Sequence, residues 1–248
     1  MLRLLAIAGT CVSGLALAAG PDDKDAPKLP LLASFNFDDG KLERFKFSDP
    51  SAWEPTESAI GKALTLARKA NYRPKFRSPE RYAILDDIVV SDFTLDVRAQ
   101  STVKDYGHRD LCLFLGYQDP DHYYYVHVAK AADPHAHSIF LVNGAARVSI
   151  ATERTKGFDW TDGWHKLRVE RRVADGSIKV YVDDFAKPIM QAVDKTFVWG
   201  KIGVGSFDDL GKFDDLELRG TKVLLPKQAA RPADEIIKAA DAVEQKAK

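Results

Sequence analysis

From residue 92 to residue 220 the chain alternates apolar and polar side chains in short runs that recur about every ten residues, with no helical stretch between them. No other feature of the sequence restricts the fold as much. Successive side chains of a strand leave the pleat on opposite sides, so a strand with one buried face is apolar at every second position. In residues 92–100, Phe93, Leu95, Val97 and Ala99 share one face, while Thr94, Asp96 and Arg98 share the other. Residues 111–117 are apolar almost throughout, as expected of a strand covered on both faces. Further strands are predicted over 123–130, 138–142, 147–152, 165–173, 178–182, 202–206 and 213–219. Asn143-Gly144 predicts a two-residue hairpin turn, and Ala174-Asp-Gly-Ser177 predicts a second hairpin. Shorter strands at 31–37, 43–47 and 63–66 come first, and residues 78–87 lead across to the main series. Many short strands with turn signals and no helices favour two packed antiparallel sheets.

The ends of the chain differ in kind from this middle. Residues 1–19 read as a secretory signal: Arg3 supplies a basic start, residues 4–17 are apolar apart from Thr10 and Ser13, and Ala16-Leu-Ala18 suits small-residue cleavage. The apolar run is too short for a bilayer span. The rival lipoprotein reading at Cys11 is weaker, because Thr10 precedes the cysteine. We therefore expect export to a periplasmic or extracellular location, without stable membrane insertion. Residues 20–30 form a polar leader expected to be disordered, and 31–220 form the sandwich. Residues 221–248 are a charged tail in which Ile236, Ile237, Ala240 and Val243 have the spacing of a short helix. With 36 basic and 36 acidic residues, no electrostatic case for nucleic acid exists. Cys112 is left alone once the signal is removed, so no disulfide framework is expected, and its apolar neighbours suggest a small buried residue.

Four segments carry a resemblance. They are Ser91-Asp-Phe-Thr-Leu-Asp-Val-Arg98, Trp164-His-Lys-Leu-Arg-Val-Glu170, Ser177-Ile-Lys-Val-Tyr-Val-Asp-Asp184, and the pair 200–205 with 213–218. Through them the chain resembles the concanavalin A-like lectin/glucanase superfamily, and within it the laminin G-like and 3-keto-disaccharide hydrolase-like branch. The resemblance implies an all-β jelly roll of two curved antiparallel sheets. It does not specify an activity, because the superfamily includes lectins, hydrolases, lyases and adhesion modules. Its retaining glucanases carry a Glu-x-Asp-x-x-Glu strand that supplies acid and nucleophile. No such pattern occurs here, and Glu170, Glu217 and Asp96 lack partners at that spacing.

On the strand 123–130, Tyr124, Val126 and Val128 form the more apolar set and are expected to face the core. Tyr123, Tyr125 and His127 then project from the outer, concave face. Tyrosine offers a flat apolar ring together with a hydroxyl, which suits one face of a sugar. The competing reading of the same alternation is that these rings pack beneath a loop. Arg98, His108, Arg109 and His137 complete the expected glycan-binding set, with His127, Tyr125 and Arg109 as the candidate catalytic groups of an enzyme. Such an enzyme, a lyase or a 3-keto-glycoside hydrolase, needs a cation at developing charge and a base for a sugar proton. Glycan binding without cleavage is the leading expectation; glycoside cleavage on the same face and a purely structural or adhesion module are the alternatives. His135-Ala-His137 could offer two imidazoles to a metal, but no Cys or Glu pattern accompanies it. The superfamily also implies a structural Ca²⁺, for which Asp38, Asp39 and Asp214 are the candidate oxygen ligands. No other cofactor is suggested, and oligomeric state is not legible.

Overall fold

The computed structural model describes residues 29–59 and 61–225. The expected signal segment, most of the leader and the expected C-terminal helix lie outside the described residues. In chain order the strands are β1 (Leu31–Phe35), β2 (Phe45–Phe47), β3 (Trp53–Ser58), β4 (Gly61–Leu66), β5 (Arg81–Leu85), β6 (Val90–Ser101), β7 (Asp110–Asp119) and β8 (His122–Ala129). They continue as β9 (Ser138–Asn143), β10 (Val148–Ser149), β11 (Ala151–Arg154), β12 (His165–Arg172), β13 (Ser177–Val182), β14 (Met190–Val193), β15 (Lys201–Ser206) and β16 (Gly211–Lys222). Apart from a single turn of 3₁₀ helix at Pro50–Ala52, no helix occurs among the described residues.

Two antiparallel sheets result. One has nine strands in the order β11-β14-β13-β12-β6-β16-β4-β3, with β1 also paired to β16. The other has seven, in the order β10-β9-β8-β7-β15-β5-β2. The alternation on β6 buries Phe93, Leu95, Val97 and Ala99 in the same core as Leu111, Leu113 and Leu115 of β7 and Tyr124, Val126 and Val128 of β8. Each large apolar side chain so buried stabilises by about 1.5–3 kcal/mol before chain entropy is set against it. The inward set on β8 is the one its sequence indicated.

Local chemistry accounts for three departures from the simple strand pattern. The turn after β9 is not a two-residue hairpin: β10 starts at Val148, opposite Leu141, and Gly144 at φ +64° opens a longer loop that contains Arg147. The single strand expected at 147–152 is two strands, because the chain changes sheets around Ile150, with β10 on β9 and β11 on β14. On β16 the register slips by one residue between Asp214 and Glu217, with Asp215 at φ +46°. This bulge moves the inward positions from Phe213 to Leu216 and Leu218 and leaves Asp214, paired with Arg98 across the ladder, only 2% exposed.

Candidate functional site

A second apolar cluster lies on the outer face of the seven-stranded sheet. Tyr82 and Ile84 of β5, Cys112, Phe114 and Tyr117 of β7, Tyr123 and Tyr125 of β8, and Phe140 and Val142 of β9 pack there, all buried. The loop between β4 and β5 covers part of it: Tyr72 packs edge-on against Tyr82 at 5.6 Å, and Ser78 is buried beside the sheet. The expectation of an open tyrosine face is therefore corrected. Tyr123 and Tyr125 are sealed beneath neighbouring segments, and burial lifts both phenols above their ordinary pKa. The Tyr125 hydroxyl accepts a hydrogen bond from Arg147, whose guanidinium lies 4.8 Å from the Phe140 ring centroid and 4.5 Å from that of Phe207.

His127 is the exception on β8. It borders a cavity of about 270 Å³, at the end of this face, that reaches the surface. The floor is buried. His127 stacks on Phe207 at 5.8 Å, and its Nε2 lies 3.3 Å from Asp110 Oδ2. Neither ring nitrogen of His127 has a hydrogen-bond partner, although the residue is only 5% exposed. Asp110 is held through its other oxygen, which accepts from Phe207 N at 3.1 Å and Ser206 Oγ at 3.2 Å. Behind it, Asp209 accepts from Asp110 N and from the Tyr106 hydroxyl. Burial pushes the Asp209 carboxyl up to about 6, with Asp110 and Asp208 adding repulsion. The rim is polar and accessible. It carries Arg77, Asp208, His108 and His135, with Arg147 and Asp133 half-buried between rim and floor. The His135 backbone N–H donates to Asp133 Oδ1 at 2.6 Å, a local turn within the histidine loop.

Of the residues singled out in the sequence, the cavity brings together His127, His108 and His135. Arg109 is buried elsewhere, donating to Ser101 Oγ, Ser101 O, Trp160 O and Asp162, so it ties β6 and β7 to the loop before β12. Arg98 lies on the nine-stranded sheet, ion-paired to Asp215 at 3.4 Å and bordering a separate cavity with Asp96 and Phe185. His137 is fully buried; its Nδ1 accepts from Ala129 N and its Nε2 meets Thr155 Oγ1 at 2.9 Å. Burial, with His127 and Arg154 nearby, lowers its pKa to about 4. Asp38 accepts from Lys62 N and Asn36 Nδ2, and Asp39 is paired with Lys41 at 3.2 Å. Burial raises Asp214 to about 6, with Asp215 and Asp38 repelling it. These three aspartates do not form a compact set of ligand atoms. Among the described residues, the group of His, Cys, Asp or Glu side chains that does so is Asp110, Cys112 and His127, whose ligand atoms lie within 4.8 Å of one another.

Sequence reasoning missed Arg77, Arg147, Phe207, Asp110 and Asp208. For Asp110 a signal existed: two residues before Cys112 on one strand, it must share that side chain's face. The others come from loops after β4, β9 and β15, and no periodicity marks them.

No protein-family model matches the chain, and no curated protein matches it by sequence. Solved structures do. The carbohydrate-binding module CBM66 from Bacillus subtilis superposes with a TM-score of 0.52 at 17% identity, over 71% of this chain and 96% of that one. Domain 4 of an extracellular GH43 arabinanase from Geobacillus stearothermophilus, solved with arabinotriose, gives 0.52 at 13% identity over 79% and 95%. The acidic lectin of winged bean, solved with methyl-α-D-galactose, gives 0.52 at 12% identity over 77% and 99%. The chain has the concanavalin A-like jelly-roll sandwich that its four strand segments led us to expect.

Proposed function

We propose that the protein is a glycan-binding jelly-roll domain and that its saccharide enters the His127 cavity on the outer face of the seven-stranded sheet. The observation that carries this reading is the chemistry of the cavity wall. Arg77 and Arg147 supply N–H donors, Asp208 supplies an acceptor, and Phe207 supplies a half-buried aromatic surface between the two arginines. Sugars need that combination, because hydroxyls alternate with apolar C–H faces. A volume of about 270 Å³ is small for a ligand pocket, which suits the end of a glycan better than an internal stretch of polymer. Similarity to a carbohydrate-binding module and to domains solved with arabinotriose and a methyl galactoside supports the class of ligand. Export belongs to the same proposal: the N-terminal segment reads as a signal, and the arabinanase is described as extracellular. No helix among the described residues is long and apolar enough to cross a membrane.

A glycan array followed by calorimetry tests the reading. Arg77→Ala and Asp208→Ala remove exposed rim groups, and each is expected to weaken binding about tenfold, as loss of a charge-assisted hydrogen bond implies. Binding unchanged in both variants would place the ligand elsewhere, and no saccharide bound at all would end the proposal. One observation favours cleavage as a second reading: an unpartnered, buried imidazole beside a carboxylate is a fitting general base. Saccharide release that is lost in His127→Gln, while binding persists, would decide for it.

A further inference from the structure

We propose that Asp110, Cys112 and His127 are the protein ligands of a single zinc-type divalent ion seated in the floor of the cavity. This goes beyond glycan binding and does not depend on it. The geometry begins with the ladder, in which Cys112 stands directly opposite His127 on neighbouring strands. Asp110 lies two residues from Cys112 along β7 and so shares its face. One carboxylate oxygen, one sulfur and one imidazole nitrogen thus converge within 4.8 Å, all three residues buried.

Tetrahedral zinc holds sulfur at ~2.3 Å and nitrogen or oxygen at ~2.0–2.2 Å, so its ligand atoms sit about 3.3–3.8 Å apart. At up to 4.8 Å the set is about 1 Å wider than bound zinc requires, a gap that the ion would have to draw closed. A mixed sulfur, nitrogen and oxygen set excludes calcium and magnesium, which take oxygen, and suits zinc. Three protein ligands leave a fourth position, and here it opens on the cavity, where water or a ligand hydroxyl can fill it.

The orphaned imidazole is a second, independent observation. A buried polar side chain without hydrogen bonds is expensive, and at the cavity floor His127 leaves Nδ1 with no partner and Nε2 with only the 3.3 Å contact to Asp110 Oδ2. A metal bond to one of them accounts for that burial, whereas ordinary core packing would place an apolar residue there. Asp110 is prepared for the role, since Phe207 N and Ser206 Oγ hold one oxygen and leave the other facing His127. Such orientation of ligands by neighbouring groups is characteristic of built metal sites.

The test uses the untagged full chain carrying Cys11→Ser, so that Cys112 is its sole thiol. After treatment with chelator, the protein is titrated with Zn²⁺ by calorimetry and with Co²⁺ by absorption. The expected result is one ion per chain, with a thiolate-to-cobalt charge-transfer band, and affinity at least 100-fold weaker in Cys112→Ser and in His127→Gln. Folding of the variants is checked by circular dichroism. If a variant does not fold, the charge-transfer band in the chain that retains Cys112 and His127 decides alone, and its absence overturns the proposal. Zinc binding that is unchanged in a folded Cys112→Ser variant overturns it as well. Arg77→Ala should leave zinc affinity intact while weakening saccharide binding, so the two readings fail separately.

Discussion

Arg147 joins the sealed tyrosine cluster to the cavity, and cutting that link has a calculable effect. Its guanidinium donates to the Tyr125 hydroxyl and to His135 O at 2.9 Å, and it lies against the rings of Phe140 and Phe207. Arg147→Ala leaves the fully buried Tyr125 hydroxyl without this donor, at about 1–3 kcal/mol. It also removes two cation–π contacts worth about 0.5–1 kcal/mol each at a half-buried site. The sum is about 3 kcal/mol, or a fall in Tm of roughly 6–12 °C for a domain of this size. Tyr125→Phe removes the hydroxyl itself and should cost only about 1 kcal/mol, since Arg147 keeps its carbonyl and both rings. The double variant should then be more stable than the sum of the single losses predicts, by about 1–2 kcal/mol, because no orphaned hydroxyl remains. Urea unfolding of the four proteins at one pH measures the cycle. Additivity within about 0.3 kcal/mol would refute the bridging role assigned to Arg147.

Two further outcomes follow from buried polar groups. His137 has its folded pKa lowered to about 4, so its contribution is fully present above about 6.5 and is lost as pH falls towards 4, because the unfolded chain then takes up the proton first. At pH 4.5 the loss should be about 2–3 kcal/mol; Asp214, raised to about 6, works in the opposite sense, contributing stability at low pH that is lost as pH rises through 6. The stability difference between wild type and His137→Asn, measured by urea at pH 7 and at pH 4.5, should shrink or reverse by that amount, and a constant difference would contradict the assignment. Arg109→Met should lower stability by about 3 kcal/mol, since Ser101 O and Trp160 O lose their donor; in the fraction that stays folded, saccharide affinity should be unchanged, and a selective loss of affinity would return Arg109 to the binding site.

What could be read from the chain, and what could not, divides along local and non-local physics. The inward set of β6 and the parity of β8 follow from a two-residue period, which is a property of the strand itself. The period says that Tyr123, Tyr125 and His127 share a face; it does not say what covers them. That is decided by Tyr72, Arg147 and Phe207, which reach the same sheet from three loops separated by long stretches of chain. β3 escaped notice because it contains Pro55, yet proline is tolerated at a sheet edge, and β3 is the last strand of its sheet. β14 is four residues long and lies next to the edge, too short for a pattern to emerge. The clearest case is Cys112. Its apolar neighbours marked it as a buried packing residue, and it is buried. Reading one strand at a time, however, its imidazole partner is invisible, because His127 becomes its cross-strand neighbour only once β7 and β8 are placed in register. Whether a buried cysteine is inert filler or a ligand therefore rests on pairing, and in this sheet pairing adds an imidazole without hydrogen bonds to the carboxylate that Asp110 already places beside the sulfur along β7.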